Sequence, residues 1–277
     1  MRATIAASCF SRQTAVVPNV FDFNEAPWQP DDYNRDLRQR IGLKENDIFV
    51  LQATRIVTRK GIELAIDFVQ ALNTPERRAQ LKAKGLYDGR PFDDESRIVF
   101  VLAGYAQDDD TGYVDRLKQK IAQTGIDVIF IADMVDGERG TRSGSKIYSL
   151  WDTYVYADFV TYPSLWEGWG NQLLETLRAK LPMLIFEYPV YKADIADKGF
   201  RFVSLGDTVS GEDDLGLTQV SPAIIQRAAD KAIALLTDGK LYQETVNHNF
   251  AVGQRHYSME ALRRYLTPLL ELPNLSL

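Results

Sequence analysis

Two short segments of the chain carry residue types suited to holding a doubly charged ligand. The first is Thr54-Arg55-Ile56-Val57-Thr58-Arg59-Lys60-Gly61. Arg55 and Lys60 stand five apart between an apolar run and a helix-period stripe, and Gly61 lets the backbone turn tightly into that helix. Two such cations can neutralise a diphosphate of about two charges without a metal. The second segment runs from Pro163 to Glu175 and holds Glu167-Gly168-Trp169-Gly170-Asn171. Gly168 and Gly170 leave backbone N–H groups open to phosphate oxygens, and a helix start behind them favours the same anion. Glu167 and Glu175 would repel a bare phosphate. They fit a ligand with hydroxyl pairs on either side of its phosphates, because a carboxylate accepts from two vicinal hydroxyls. A sugar–diphosphate–ribose has that layout.

The surrounding pattern explains how the two segments would meet. Apolar strand-sized runs occupy 47–54, 97–103, 127–132, 157–162, 182–186 and 200–205. Runs such as Ile98-Val99-Phe100-Val101-Leu102 are apolar on both faces, as a strand covered by helices on both sides requires. Helix-period segments fit the gaps: the stripe Ile62, Ala65, Ile66, Val69, Leu72, then 114–122, 146–154, 171–180 and 190–197. This alternation predicts an α/β fold with a doubly wound parallel sheet and C-terminal helices. Ligands of such a sheet bind beyond the carboxyl ends of its strands, where both segments fall. Residues 73–96 break the alternation as a helix plus a loop. Ser221 reads as an N-cap before Pro222, and a last helix from near Ser258 meets Pro268.

Composition excludes several classes. The 277 residues are 45% hydrophobic and 25% charged, with a formal net charge of -6 and no basic block. That opposes nucleic acid or an anionic membrane as the main partner. No apolar run approaches the roughly 20 residues of a membrane span, and the N-terminus is too short and polar for a signal peptide. Cys9 is the single cysteine. It permits no intrachain disulfide, reads as inert, and fits a cytoplasmic location. Asp108-Asp109-Asp110 is expected to be a solvated turn capping the next helix, not a metal site. Trp166 and Trp169 are expected mainly to pack, with one facing the cleft. His248 and His256 receive no proton-transfer role.

Taken together, the motifs resemble family 4 glycosyltransferases, the group 1, glycogen-synthase-like transferases of GT-B architecture. That family's second, Rossmann-like domain carries an arginine, a lysine five residues later before a glycine, and two glutamates eight apart around a glycine-rich turn. Arg55, Lys60, Glu167 and Glu175 match both spacings, and Pro18-Asn19 with Asp22 resembles the linker entering that domain. The resemblance implies that Arg55 and Lys60 hold the diphosphate, that Glu167 contacts the donor sugar and that Glu175 contacts the ribose. Arg55, Lys60 and Glu167 would be the catalytic set. It places backbone at Gly168 and Gly170 against sugar and phosphate, with Trp169, Asn171 and Leu174 in the same site. The base would lie near the loops at Gly104 and Asp133. It further implies transfer with retention, no metal and no cofactor besides the nucleotide-sugar donor.

Residues 1–24 are thereby expected to be a residual segment and linker, and 25–277 the nucleotide-sugar-binding domain. The acceptor half would come from a missing domain or a partner chain, and the acceptor is not specified. Apolar and aromatic surface is expected on the wall facing it. The turn departs from the family in reading Gly-Trp-Gly-Asn-Gln, which bears on donor identity. Two other functions compete: a non-catalytic nucleotide-sugar-binding module, and, less favoured, an enzyme of another class such as an epimerase.

Overall fold

A computed structural model describes residues 16–106 and 111–270. Cys9 and Asp108, Asp109 and Asp110 lie outside the described residues. The strands in chain order are β1 Ile48–Gln52, β2 Ile98–Leu102, β3 Asp127–Phe130, β4 Val135–Asp136, β5 Gly140–Arg142, β6 Ser145–Ser149, β7 Phe159–Tyr162, β8 Met183–Ile185, β9 Val203–Ser204, β10 Gly211–Glu212 and β11 Thr218–Gln219. The helices are α1 Leu37–Arg40, α2 Ile62–Leu72, α3 Pro75–Lys84, α4 Thr111–Thr124, α5 Leu150–Tyr156, α6 Asn171–Arg178, α7 Pro222–Thr237, α8 Gly239–Tyr257 and α9 Met259–Leu270.

Six parallel strands form the central sheet in the order β3-β2-β1-β7-β8-β9. The chain therefore winds outward from β1 in one direction, then returns to β7 and winds the other way. The crevice between β1 and β7 is the topological switch point, where the two crossovers leave in opposite directions. Side chains alternate along each strand. Ile48, Val50, Phe100, Leu102 and Phe159 build one core with α2, α4 and α7. Phe49, Leu51, Val99, Val101 and Val160 build the other with α5 and α6. Each of the six apolar runs supplies one strand of this sheet. Edge strand β3 differs in being half exposed.

Three local expectations need correction. The predicted helix over 146–154 begins only at Leu150. Its first half is β6, in a small sheet with β4 and β5. Ser143 and Gly144 both have positive φ, 52° and 79°, the geometry of a tight hairpin turn, and it pairs β5 with β6. The overlooked helix-start signal is Ser149 with Asp152, a reciprocal capping box. The segment over 190–197 is not a regular α-helix. A π-helical turn, Tyr191–Ile195, is followed by a short 3₁₀ turn ending at Gly199 with φ 85°. Ser221 does precede α7, but its side chain makes no cap. Its carbonyl accepts from Ile224 and Ile225 at 2.8 and 3.2 Å. Pro268 lies inside α9.

The segment ahead of the sheet is stitched to the far end of the chain. Phe21 N–H donates to Tyr257 O at 2.8 Å. The buried Arg178 guanidinium donates to Asp22 O, Glu25 O and Ala26 O at 3.0, 2.7 and 2.7 Å.

Candidate functional site

The loops that leave β1 and β7 are laced together. Leu165 N–H donates to Arg59 O at 2.9 Å. A Cβ on Gly61 would lie 2.4 Å from Pro163 O, so only glycine lets the loops close this far, and its φ of 59° is left-handed. The β2 loop joins from the other side. Ile56 N–H donates to Tyr105 O at 2.9 Å. Gly170 enters α6 with φ 113°, and the Tyr162 and Tyr188 hydroxyls fill the space a Cβ there would need. These contacts hold the start of α6 over the carboxyl end of β7.

A cleft of about 350 Å³ opens there, lined by Lys60, Glu167, Trp169, Gly170, Asn171 and Glu175 among others. Glu167 is 6% exposed, and its two oxygens take different cations. Oε1 accepts from Lys60 Nζ, itself buried, and Oε2 accepts from Arg59 Nη1 at 2.7 Å. Arg59 also donates to Trp166 O at 3.3 Å. Burial opposes ionisation of Glu167. The Lys60 hydrogen bond and charge, with help from Ser164 and Arg59, outweigh it and hold the carboxyl below its ordinary range. Burial lowers the Lys60 pKa, as do the Arg59 and Arg55 charges, against the opposing pull of Glu167. The Lys60 ammonium also lies 5.6 Å from the centroid of the Tyr162 ring.

Glu175 titrates the other way. Burial raises its pKa more than the Tyr154 hydroxyl, donating to Oε2 at 2.8 Å, and the Lys60 charge can lower it. The two carboxyls of the cleft thus differ: cation partners favour ionisation of Glu167, and burial opposes ionisation of Glu175.

Lys60, Glu167, Trp169, Gly170, Asn171 and Glu175 line this cleft together. Arg55 is half-buried and is not among the residues lining the cleft, though its charge acts on Lys60. Gly168 is exposed, with open space where a Cβ would be. Leu174 is 1% exposed and packs into the core, so its side chain does not face a ligand. Gly104 serves close packing: a Cβ there would lie 1.9 Å from Thr54 O. Asp133 is exposed in the turn after β3. Trp166 does not pack, being 59% exposed, while Trp169 lines the cleft edge-on to Tyr257. His248 bonds Gly199 O at 2.8 Å, and His256 is half-buried.

Residue spacing did not single out Arg59, Tyr154, Thr54 or Gln172. Arg59 had a signal, since it adjoins Lys60. Tyr154 had none, because its partner lies 21 residues away on another helix. Tyr105, Phe130 and Trp166 are 61%, 45% and 59% exposed at or just beyond the carboxyl ends of β2, β3 and β7. Aromatic surface thus lies exposed at the carboxyl end of the sheet. Among the described residues no cluster of His, Cys, Asp and Glu is arranged to hold a metal ion. No described helix is long and apolar enough to cross a membrane.

Known proteins resemble this chain in sequence and in fold. A family profile described as glycosyl transferases group 1 matches residues 34–204. The mannosylglucosylglycerate synthase of Thermotoga maritima is 39% identical over 254 residues, covering 92% of this chain and 56% of that protein. The synthase of the same name from Petrotoga mobilis is 38% identical over 252 residues, covering 90% and 56%. The chain spans about half the length of the curated relatives it matches. Among solved structures, Anabaena HepE in complex with UDP and glucose superposes with a TM-score of 0.60 at 17% identity, covering 92% of this chain and 56% of HepE. The C-terminal domain of the Francisella tularensis group 1 protein LpcC gives 0.51 at 19% identity, covering 86% of this chain and 99% of that domain. At these identities the structures share the fold: a doubly wound Rossmann-like sheet, one half of a GT-B glycosyltransferase.

Proposed function

The chain belongs to the group 1 glycosyl transferases, and from that premise we propose that it forms the donor-binding half of a retaining, metal-independent sugar transferase. The carrying observation is the convergence of Lys60, Glu167 and Glu175 on one cleft at the switch point. In this proposal Lys60 and Arg55 take the diphosphate of a nucleotide sugar, and the start of α6 adds its N–H groups. Glu167 faces the sugar and Glu175 the ribose diol. The bond from the anomeric carbon to the diphosphate breaks, and the acceptor oxygen bonds to the same face. The acceptor proton passes to the departing diphosphate. Lys60, Arg55 and Arg59 offset the charge that develops on that leaving group, the role a divalent cation would otherwise fill.

Acceptor binding falls to the part of the longer relatives that this chain does not match, or to a partner chain. By likeness to the curated synthases, the product of the whole protein is mannosylglucosylglycerate. The chain alone then binds nucleoside diphosphates weakly and transfers no sugar. A thermal-shift series with UDP, GDP and ADP tests this: one of them raises the melting temperature at millimolar concentration. Lys60→Glu abolishes the rise and Glu175→Ala weakens it. No rise with any of the three refutes donor binding.

A further inference from the structure

Beneath the cleft, a chain of uncharged polar side chains crosses the sheet between β1 and β7. Gln52 and Thr161 are fully buried where their neighbours are apolar, a costly placement unless their hydrogen bonds are used. Thr161 Oγ1 lies 2.5 Å from Gln52 Oε1, and Gln52 Nε2 lies 2.9 Å from Thr54 Oγ1. The Gln52 amide presents its oxygen to the Thr161 hydroxyl and its nitrogen to Thr54, and the Leu51 carbonyl, 3.3 Å from Thr161 Oγ1, is the more distant acceptor. Thr161 therefore donates to the Gln52 oxygen, and Gln52 donates to Thr54. Thr54 Oγ1 accepts in this bond, which leaves its own proton to donate. Thr54 lines the cleft and is 6% exposed.

The second end of the chain is Gln172 on α6, also on the cleft wall and 6% exposed. Its Nε2 faces the Thr161 carbonyl at 3.4 Å. A carbonyl only accepts, so the amide nitrogen must point that way and Oε1 must point elsewhere. Oε1 is buried without a partner among the described residues, as is Trp169 Nε1 on the same cleft. Buried polar atoms without partners are rare in folded proteins, and a bound polar group is one way to satisfy them.

We infer that Thr54 and Gln172 read chemically different parts of the donor: the Thr54 hydroxyl donates to a phosphate oxygen, and Gln172 Oε1 accepts from a sugar hydroxyl. This rests on the donor-binding proposal above. A phosphate oxygen only accepts and so suits a hydroxyl whose lone pair is already taken. A sugar hydroxyl can donate and so suits an amide oxygen. Gln52 is a positioning residue, since it fixes which way the Thr54 proton turns.

The experiment is calorimetric titration of the intact chain with UDP, GDP and ADP and with UDP-glucose, GDP-mannose and ADP-glucose. Thr54→Val, close in shape, weakens the bound nucleotide and its sugar conjugate alike, about fivefold, and Thr54→Ser restores both. Gln172→Met weakens the sugar conjugate about fivefold more than the free nucleotide. In a Gln52→Met background the Thr54→Val loss shrinks, as expected for two members of one network. Melting temperatures check that each variant folds, and Thr54→Ala and Gln172→Leu replace any that does not. Undiminished binding by the Thr54 variants, or equal loss of nucleotide and sugar conjugate by the Gln172 variants, overturns the inference. Wild-type protein that binds none of the probes instead refutes donor binding itself.

Discussion

Glu167 holds Lys60 in a buried ion pair on the cleft wall, so the cation assigned to the diphosphate already has a carboxylate partner. An entering phosphate must compete with a carboxylate for that ammonium. Arg59 holds the second carboxylate oxygen at 2.7 Å, so Lys60 is not the sole cation on Glu167.

Glu167→Gln removes the competitor. The expected outcome is several-fold tighter binding of a bare nucleoside diphosphate, together with a smaller preference for the sugar conjugate over the free nucleotide. Titration of both ligands against both proteins checks it. Weaker binding of the bare nucleotide would show that Lys60 does not meet phosphate.

The two site glutamates give opposite pH dependences. Glu167 has a folded pKa below its reference of 4.5. Its contribution to stability is present above pH 4.5 and is lost as pH falls through the lower folded value. Glu175 has a folded pKa above 4.5. The native state binds the extra proton, so its contribution declines as pH rises from 4.5 through the raised value. Urea midpoints measured across this range should diverge from wild type in opposite directions for Glu167→Gln and Glu175→Gln.

Tyr154→Phe deletes the hydroxyl that donates to Glu175. The Glu175 pKa should rise further, readable from the carboxyl carbon chemical shift. Stability should fall by about 1–2 kcal/mol for the lost buried hydrogen bond. An unmoved carboxyl titration would mean that Tyr154 is only packing.

Gly170 and Gly168 stand two apart in one turn but differ in kind. A Cβ at Gly170 would lie 2.4 Å from the Tyr162 hydroxyl, at a φ of 113°. Gly170→Ala should cost roughly 1–3 kcal/mol and weaken nucleotide binding by displacing the start of α6. A Cβ at Gly168 meets nothing within 4 Å, so Gly168→Ala should leave the unfolding midpoint near wild type. Chemical denaturation of the pair separates the two cases.

The sequence by itself determined the strand–helix alternation, put Arg55, Lys60 and Glu167 on loops after β1 and β7, and put Glu175 on the helix that follows. Apolar period and glycine placement are local properties, legible without a fold. The hairpin before α5 was lost because Lys146-Ile147-Tyr148 can follow either a helical or a strand period. Leu174 looked like a site residue from its neighbours, yet the turn of α6 points it into the core. Only the tertiary structure decided that Lys60 meets Glu167 across 107 residues, and that Thr161 and Gln52 meet across 109. Such contacts depend on which strands lie side by side at the switch point. The order of strands in a sheet is set by packing among distant segments, and no local spacing encodes it.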